Sequence, residues 1–235
     1  MNAQSASRSI LVITADDYGY RPAYDRGILE AARAGAVDSV SAMVGRDELD
    51  ARRLLRTRVE IGLHLELPEM PDESRATRVE RGAALSALRS QLAAFKRAFG
   101  RQPAFLDGHH HCHARPGVDV VVAQVAYELG FPVRSVNPRH RRMLRGMRIP
   151  TPDLLVGRLE AWEPALPGEL AGALDGSAEP PLGVTEWMVH PGYREGSRAS
   201  SYDAAREHDL ELIIDLREEL GRRFRRARHS VLARL

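Results

Sequence analysis

The chain has 235 residues, enough for one large α/β domain or two small ones. Hydrophobic content of 43% and charged content of 28% are those of an ordinary globular protein. Thirty-four basic against thirty-two acidic residues leave a net charge of +2, so there is no bulk electrostatic case for nucleic acid, and the lone cysteine, Cys112, excludes an intrachain disulfide.

Met1 to Arg8 is polar and reads as a disordered extension ahead of a domain spanning 9–235. Ile10 to Ala15 is a short β-branched run, too short for a signal-peptide core or a membrane span, and reads as a first strand. A cytoplasmic location with no integral membrane segment is the expectation. After a loop with Gly19 and Pro22, a helix is predicted from about Ala23 to Ala34, stopped by Gly35. Val37–Val44 and Val59–His64 are the next strands. Leu85, Leu88, Leu92, Phe95 and Phe99 keep the helical period from about Glu80 to Phe99, and Gly100 ends that helix. Ala104–His109 reads as a strand, Val118–Leu129 as a helix closed by Gly130, and Val133–Val136 as a strand. Asn137 to Gly183 reads as irregular, with several prolines and a basic run from Arg139 to Arg148. Val184–His190 is a strand and Asp203–Arg228 one long helix, ending in a second basic run. The first run lacks aromatics and the second, Arg222 to Arg228, holds only Phe224, and both read as solvated faces. Strands alternating with helices argue for a parallel sheet with helical crossovers.

Chemistry concentrates in Asp107-Gly108-His109-His110-His111-Cys112-His113, which holds four of the nine histidines. Imidazoles and carboxylates are divalent-metal ligands, and alternation in an extended segment would set Asp107, His109, His111 and His113 on one face. Asp16 and Asp17 follow the first strand, His64 ends another, Arg134 lies in the strand after the cluster, and His190 ends a late one. Strand carboxyl ends are where (β/α) barrels and open α/β sheets build their sites.

Each residue has a bland alternative. Asp16 and Asp17 either share a site in which a metal takes Asp17 and leaves Asp16 as a base, or cap the next helix. His64 is a ligand or a satisfied core histidine. His109 is the best single ligand of the cluster, Asp107 orients a histidine or touches metal, and His111 and His113 line the cleft, hold ligands in place or face solvent. Cys112 reads as a small packed residue. His190, fixed by the Pro191-Gly192 turn, is a general acid or an ordinary turn histidine. Arg134 pairs with Asp16 or sits on the surface.

Thr14-Ala15-Asp16-Asp17-Tyr18-Gly19, Gly62-Leu63-His64-Leu65, Leu106 to His113, and His190-Pro191-Gly192 resemble, in order, the signatures of the YdjC-like carbohydrate deacetylases. That family includes the chitooligosaccharide deacetylases, and the resemblance runs from about residue 9 to 220. It implies a distorted, TIM-like (β/α) barrel related to the polysaccharide deacetylases, often dimeric, with one divalent metal, magnesium or zinc. It implies Asp17, His64 and His109 as ligands, Asp16 as base and His190 as acid. The substrate it implies is an N-acetylated sugar or glycolipid. Tyr18, Gly108 and Cys112 depart from the family's usual Phe, Ser and Val, and none of these is a ligand. Two rival readings are a metal-dependent hydrolase of another bond, such as a phosphoester or a non-sugar amide, and a carbohydrate-binding barrel without catalysis.

Overall fold

The computed structural model describes residues 9–68, 76–158, 166–196 and 200–234. The expected extension over 1–8 lies outside the described residues.

Strand β1 (Ile10–Tyr18) is buried at every position because it lies at the centre of the sheet. It continues past the expected end at Ala15 and takes Asp16 and Asp17 inside it. Helix α1 (Pro22–Ala34) starts on a proline that presets φ and stops at the left-handed Gly35. Strand β2 (Ser39–Ala42), the short helix α2 (Ala51–Leu55) and strand β3 (Glu60–Leu65) follow. Helix α3 (Arg78–Phe99) opens with a capping box between Thr77 and Glu80, which satisfies two otherwise unpaired N–H groups. It buries Leu88, Leu92, Phe95 and Phe99 against the core.

Strand β4 (Leu106–Gly108) is short and leads into a 3-10 turn over His109–Ala114, then helix α4 (Val118–Leu129). The expected strand at Val133–Val136 reduces to one bridge, Leu106 to Val133. The stretch read as irregular holds helix α5 (Pro138–Gly146), strand β5 (Leu154–Gly157) and helix α6 (Gly168–Asp175). Asn137 caps α5 through its side chain and Pro138 takes the first turn, a start signal that the neighbouring arginines mask.

Strand β6 (Val184–Val189) is fully buried. The expected long helix breaks at Leu216 into α7 (Arg206–Asp215) and α8 (Arg217–Arg223), followed by the two-residue strand β7 (Arg225–Arg226) and a 3-10 turn over His229–Arg234. The second basic run is therefore not simply a solvated helix face. Arg223 donates to the Leu174 carbonyl, Arg226 to Asp38 and the Ala36 carbonyl, and Arg228 to the Arg58 carbonyl, stapling the C-terminal stretch across the barrel.

The sheet order is β4-β3-β2-β1-β6-β5, with β7 beside the start of β1, and every pairing is parallel. The sheet curls into a distorted, open (β/α) barrel, as the alternation of elements implies. All strand carboxyl ends consequently face one way. Among the described residues, no helix is long and apolar enough to cross a membrane.

Candidate active site

Two successive residues of a strand ordinarily point to opposite faces. In β1 the pairing with β2 runs Thr14–Ser39 and Ala15–Val40, then resumes shifted at Tyr18–Ala42. Asp16 and Asp17 occupy that bulge, and Asp17 adopts a left-handed φ of 73°. The bulge brings both carboxylates to one cavity of about 120 Å³, lined also by His64, Gly108, His109, His110, His111, Met188 and Tyr202. Among the described residues four non-glycines have positive φ, and three of them, Asp17, His110 and His111, line this cavity. Such conformations cost on the order of 1–3 kcal/mol each and concentrate at functional sites.

Adjacent strands supply the next residues. His64 on β3 and Asp107 on β4 are register partners, so their side chains emerge together. His64 Nδ1 lies 2.7 Å from Asp107 Oδ1, and its Nε2 lies 3.3 Å from Asp17 Oδ1. Asp107 also accepts from the Ser41 hydroxyl. His109 Nδ1 lies 3.0 Å from the same Asp17 oxygen. Asp17, His64 and His109 thus converge on one point.

The histidine cluster is not an extended strand, so its residues do not share a face. The 3-10 turn, kinked at His110 and His111, sends His111 into the cavity wall and His113 behind it. His113 Nε2 donates to the Arg134 carbonyl at 3.1 Å. Burial pushes His111 down to about 4, with Arg134 adding to the effect, so its ring is neutral. Cys112 is buried, and its thiol donates to the Leu65 carbonyl.

Arg134 is wholly buried and organises the floor. Its Nη1 and Nη2 clasp both oxygens of Asp16, at 2.7 and 2.9 Å. Nη2 also lies 2.8 Å from Asp107 Oδ2, and Nε donates to Glu186 at 2.9 Å. Arg206, from α7, donates to Asp17 Oδ2 at 2.5 Å while its guanidinium lies 3.7 Å above the Tyr24 ring. Burial alone would raise the Asp17 carboxyl, but Arg206, His109 and His64 outweigh it and hold it well below the usual range. Burial likewise opposes a charge on His64, yet Asp107 and Asp16 push it up to about 10.

His190 ends β6. Its backbone N–H donates to Asp209, and its ring stacks on Tyr202 at 4.4 Å with planes 10° apart. Its Nδ1 is buried without a hydrogen-bond partner among the described residues, and burial pushes the ring down to about 4 against the pull of Asp17 and Asp16. The turn that follows is held without side chains: a Cβ built on Gly27 of α1 would sit 2.5 Å from Gly192 Cα.

Two of these residues escaped sequence reasoning. Glu186 carried a signal, a lone acid in the apolar run Val184 to Val189. Arg206 carried none.

The donor set fits a divalent metal. Asp17 Oδ1 lies 3.3 Å from His64 Nε2 and 3.0 Å from His109 Nδ1, the separation expected of two ligands with bonds of about 2.0–2.2 Å to one centre, and all three atoms fall within 4.8 Å of one another. Asp107 on the far nitrogen of His64 is the carboxylate–imidazole pairing that orients metal ligands. Charge agrees: the buried carboxylates of Asp16, Asp17, Asp107 and Glu186 outnumber the buried guanidiniums of Arg134 and Arg206, and a divalent ion on His64 would take the place of the proton that Asp107 and Asp16 favour there.

A human carbohydrate deacetylase is 30% identical over an alignment covering 89% of this chain and 85% of that protein. A solved structure from Enterococcus faecalis V583, described there as a candidate cellobiose-phosphate cleavage protein, superposes with a TM-score of 0.77 at 22% identity, covering 96% of this chain and 99% of that one. The CE4 domain of a multidomain xylanase, from the hindgut metagenome of Trinervitermes trinervoides, shares the fold at a TM-score of 0.52 and 11% identity, covering 96% and 89%. The family model described as YdjC-like protein matches residues 10–218, and the chain belongs to that family.

Proposed function

We propose that this protein is a metal-dependent hydrolase that removes an N-acetyl group from an amino sugar, in an oligosaccharide or glycolipid. The observation that carries the reading is the pairing of two adjacent carboxylates with different partners. Asp17 sits among two imidazoles and Arg206, suited to hold a cation, while Asp16 is clasped by Arg134 beside the same cavity. The name of the human relative supports the substrate class.

Asp17, His64 and His109 would hold the metal, magnesium or zinc, with Asp107 fixing the tautomer of His64. A divalent ion there supplies Lewis acidity, which polarises the amide carbonyl and acidifies a water. Asp16 takes the proton of the attacking water. Arg134 occupies one lone pair on each Asp16 oxygen, which aims the remaining lone pairs at the cavity and keeps the carboxylate from rotating. His190 is neutral at rest, so it delivers a proton to the departing nitrogen only after receiving one within the site. Tyr202 holds that ring in plane. The C–N bond breaks as the nitrogen is protonated, leaving acetate and a free amine.

Among the described residues the cavity is lined by two carboxylates and four histidines and by no arginine or lysine. Its small volume suits a short acyl group, with Met188 as an apolar wall.

The test is acetate release from a panel of N-acetylated oligosaccharides and glycolipids, run on metal-stripped and reconstituted protein. Release that requires a divalent metal supports the reading. Phosphate release from generic esters without acetate release, or glycan binding without turnover under any metal, overturns it.

A further inference from the structure

Beneath the catalytic floor lies a second layer that the proposed mechanism does not use. Glu186 on β6 accepts Arg134 Nε at 2.9 Å and lies 2.8 Å from Nη2. Burial raises its carboxyl, but Arg134 and His229 outweigh that and keep it ionised. An ionised carboxylate only accepts, so the His229 Nε2 that lies 3.3 Å from Glu186 Oε1 must carry a hydrogen. The same Nε2 is 3.1 Å from the Thr14 hydroxyl on β1.

His229 comes from the C-terminal 3-10 turn and is wholly buried. Its ring lies flat on Phe105, with centroids 3.8 Å apart and planes at 12°. Phe105 in turn fills the space over Gly62, where a Cβ would come within 2.4 Å of the ring. The imidazole therefore touches β1, β6 and the lead-in to β4 at once. It lies beyond the stretch matched by the family model, which ends at residue 218.

A run of contacts follows: His229 to Glu186, Glu186 to Arg134, Arg134 to Asp16. Arg134 has two edges, and both need a partner for its plane to be fixed. Asp16 engages the Nη1/Nη2 edge and Glu186 the Nε/Nη2 edge. We propose that Glu186 and His229 are positioning residues for the base Asp16, acting through Arg134, so that the C-terminal turn forms part of the catalytic apparatus. The inference rests on the reading of Asp16 as the base. Neither residue lines the cavity, so substrate binding is untouched.

The test is His229→Phe, which keeps an aromatic ring to stack on Phe105 and removes the Nε2–H donor. Its kcat for deacetylation should fall roughly 10-fold or more, the usual effect of losing an orienting partner. KM and metal content per chain should stay at wild-type values, and the melting temperature should fall only by the few degrees that an unpaired buried acceptor costs, about 1–3 kcal/mol. His229→Gln, which returns an amide N–H near the lost donor, should recover most of kcat. Glu186→Gln, which keeps the shape but loses the charge on Arg134, should reproduce the fall. A His229→Phe enzyme with wild-type kcat overturns the inference. So does a loss of rate that tracks metal content or melting temperature and is not recovered by Gln, since His229 would then only plug the barrel. Wild-type protein that releases no acetate from any substrate overturns the deacetylase reading and this inference with it, an outcome distinct from an active wild type with an equally active variant.

Discussion

Replacing Arg206 with methionine should destabilise the metal-free protein severely and the metal-loaded protein much less. The guanidinium is wholly buried, pairs with Asp17 at 2.5 Å and covers the Tyr24 ring. Methionine keeps much of the volume and removes the charge, leaving Asp17 as a buried carboxylate short of its strongest cationic partner. Removing one member of a buried pair costs about 3–5 kcal/mol. In a chain of this length each kcal/mol moves the melting temperature by roughly 2–4 °C, so the drop in chelator should be about 6–20 °C. A divalent ion on Asp17 compensates the same charge, so saturating metal should recover at least half of that drop. The assay is a thermal melt at pH 8, where Asp17 cannot relieve the strain by taking up a proton, with chelator in one arm and excess magnesium or zinc in the other. A loss below about 2 °C in chelator, or an equal loss in both arms, would refute the assignment of Arg206 as the counter-charge of the metal carboxylate.

Asp17→Ala and His109→Ala should each lose the bound divalent ion while keeping the wild-type circular dichroism spectrum; full metal content by elemental analysis in either variant removes that residue from the ligand set. Asp16→Asn should retain metal and lose about 100-fold or more in kcat, the share carried by a general base; near-normal turnover would eliminate it as the base. His140 offers a pH test away from the metal ligands. Burial pushes it down to about 4, outweighing the opposing pull of Asp119, against about 6.5 in an unfolded chain. Its contribution to stability is therefore fully present above pH 6.5 and lost as pH falls towards 4, at about 1.4 kcal/mol per pH unit within that window. His140→Leu should lower that slope by about 1.4 kcal/mol per pH unit in chemical denaturation, with His111 and His190, pushed down by burial in the same way, keeping theirs, and an unchanged slope would contradict the burial argument.

How much of this was legible in the sequence follows from which signals are local. Helix α3 could be read because its apolar period and its Gly100 stop both lie within the segment, although the Thr77–Glu80 cap that starts it at Arg78 went unread. The strand-end placement of Asp16, His64 and Asp107 could be read because a parallel sheet aligns its carboxyl ends whatever the loops do. The path of the histidine cluster could not. Left-handed backbone at His110 and His111 is imposed by the surrounding structure, and a histidine-rich run fits a strand as well as a turn. Helix α5 was missed although its Asn137-Pro138 start was present, because half of the residues after Pro138 are arginine and its buried face, His140, Met143 and Leu144, spans little more than one turn. Arg206 and His229 were beyond reach for another reason: their partners lie 189 residues or more than 40 residues away, and nothing in their own neighbourhoods marks them.

The contact between Gly27 and Gly192 bears on how this site can change over time. Backbone meets backbone there, tying the helix that follows the two aspartates to the turn that follows His190. A side-chain contact can drift through intermediates of similar size. This one has no intermediate, because even alanine places a methyl group inside the opposing chain. Substitution at Gly27 must push α1 away from the turn, and with it one half of the site away from the other, whereas a Cβ on Gly192 would sit 3.0 Å from Tyr24 Cα and ask for a smaller shift. A deep mutational scan selecting for activity should therefore leave Gly27 nearly monomorphic and Gly192 restricted to the smallest residues, while neighbouring exposed positions such as Arg26 and Glu30 accept almost any residue.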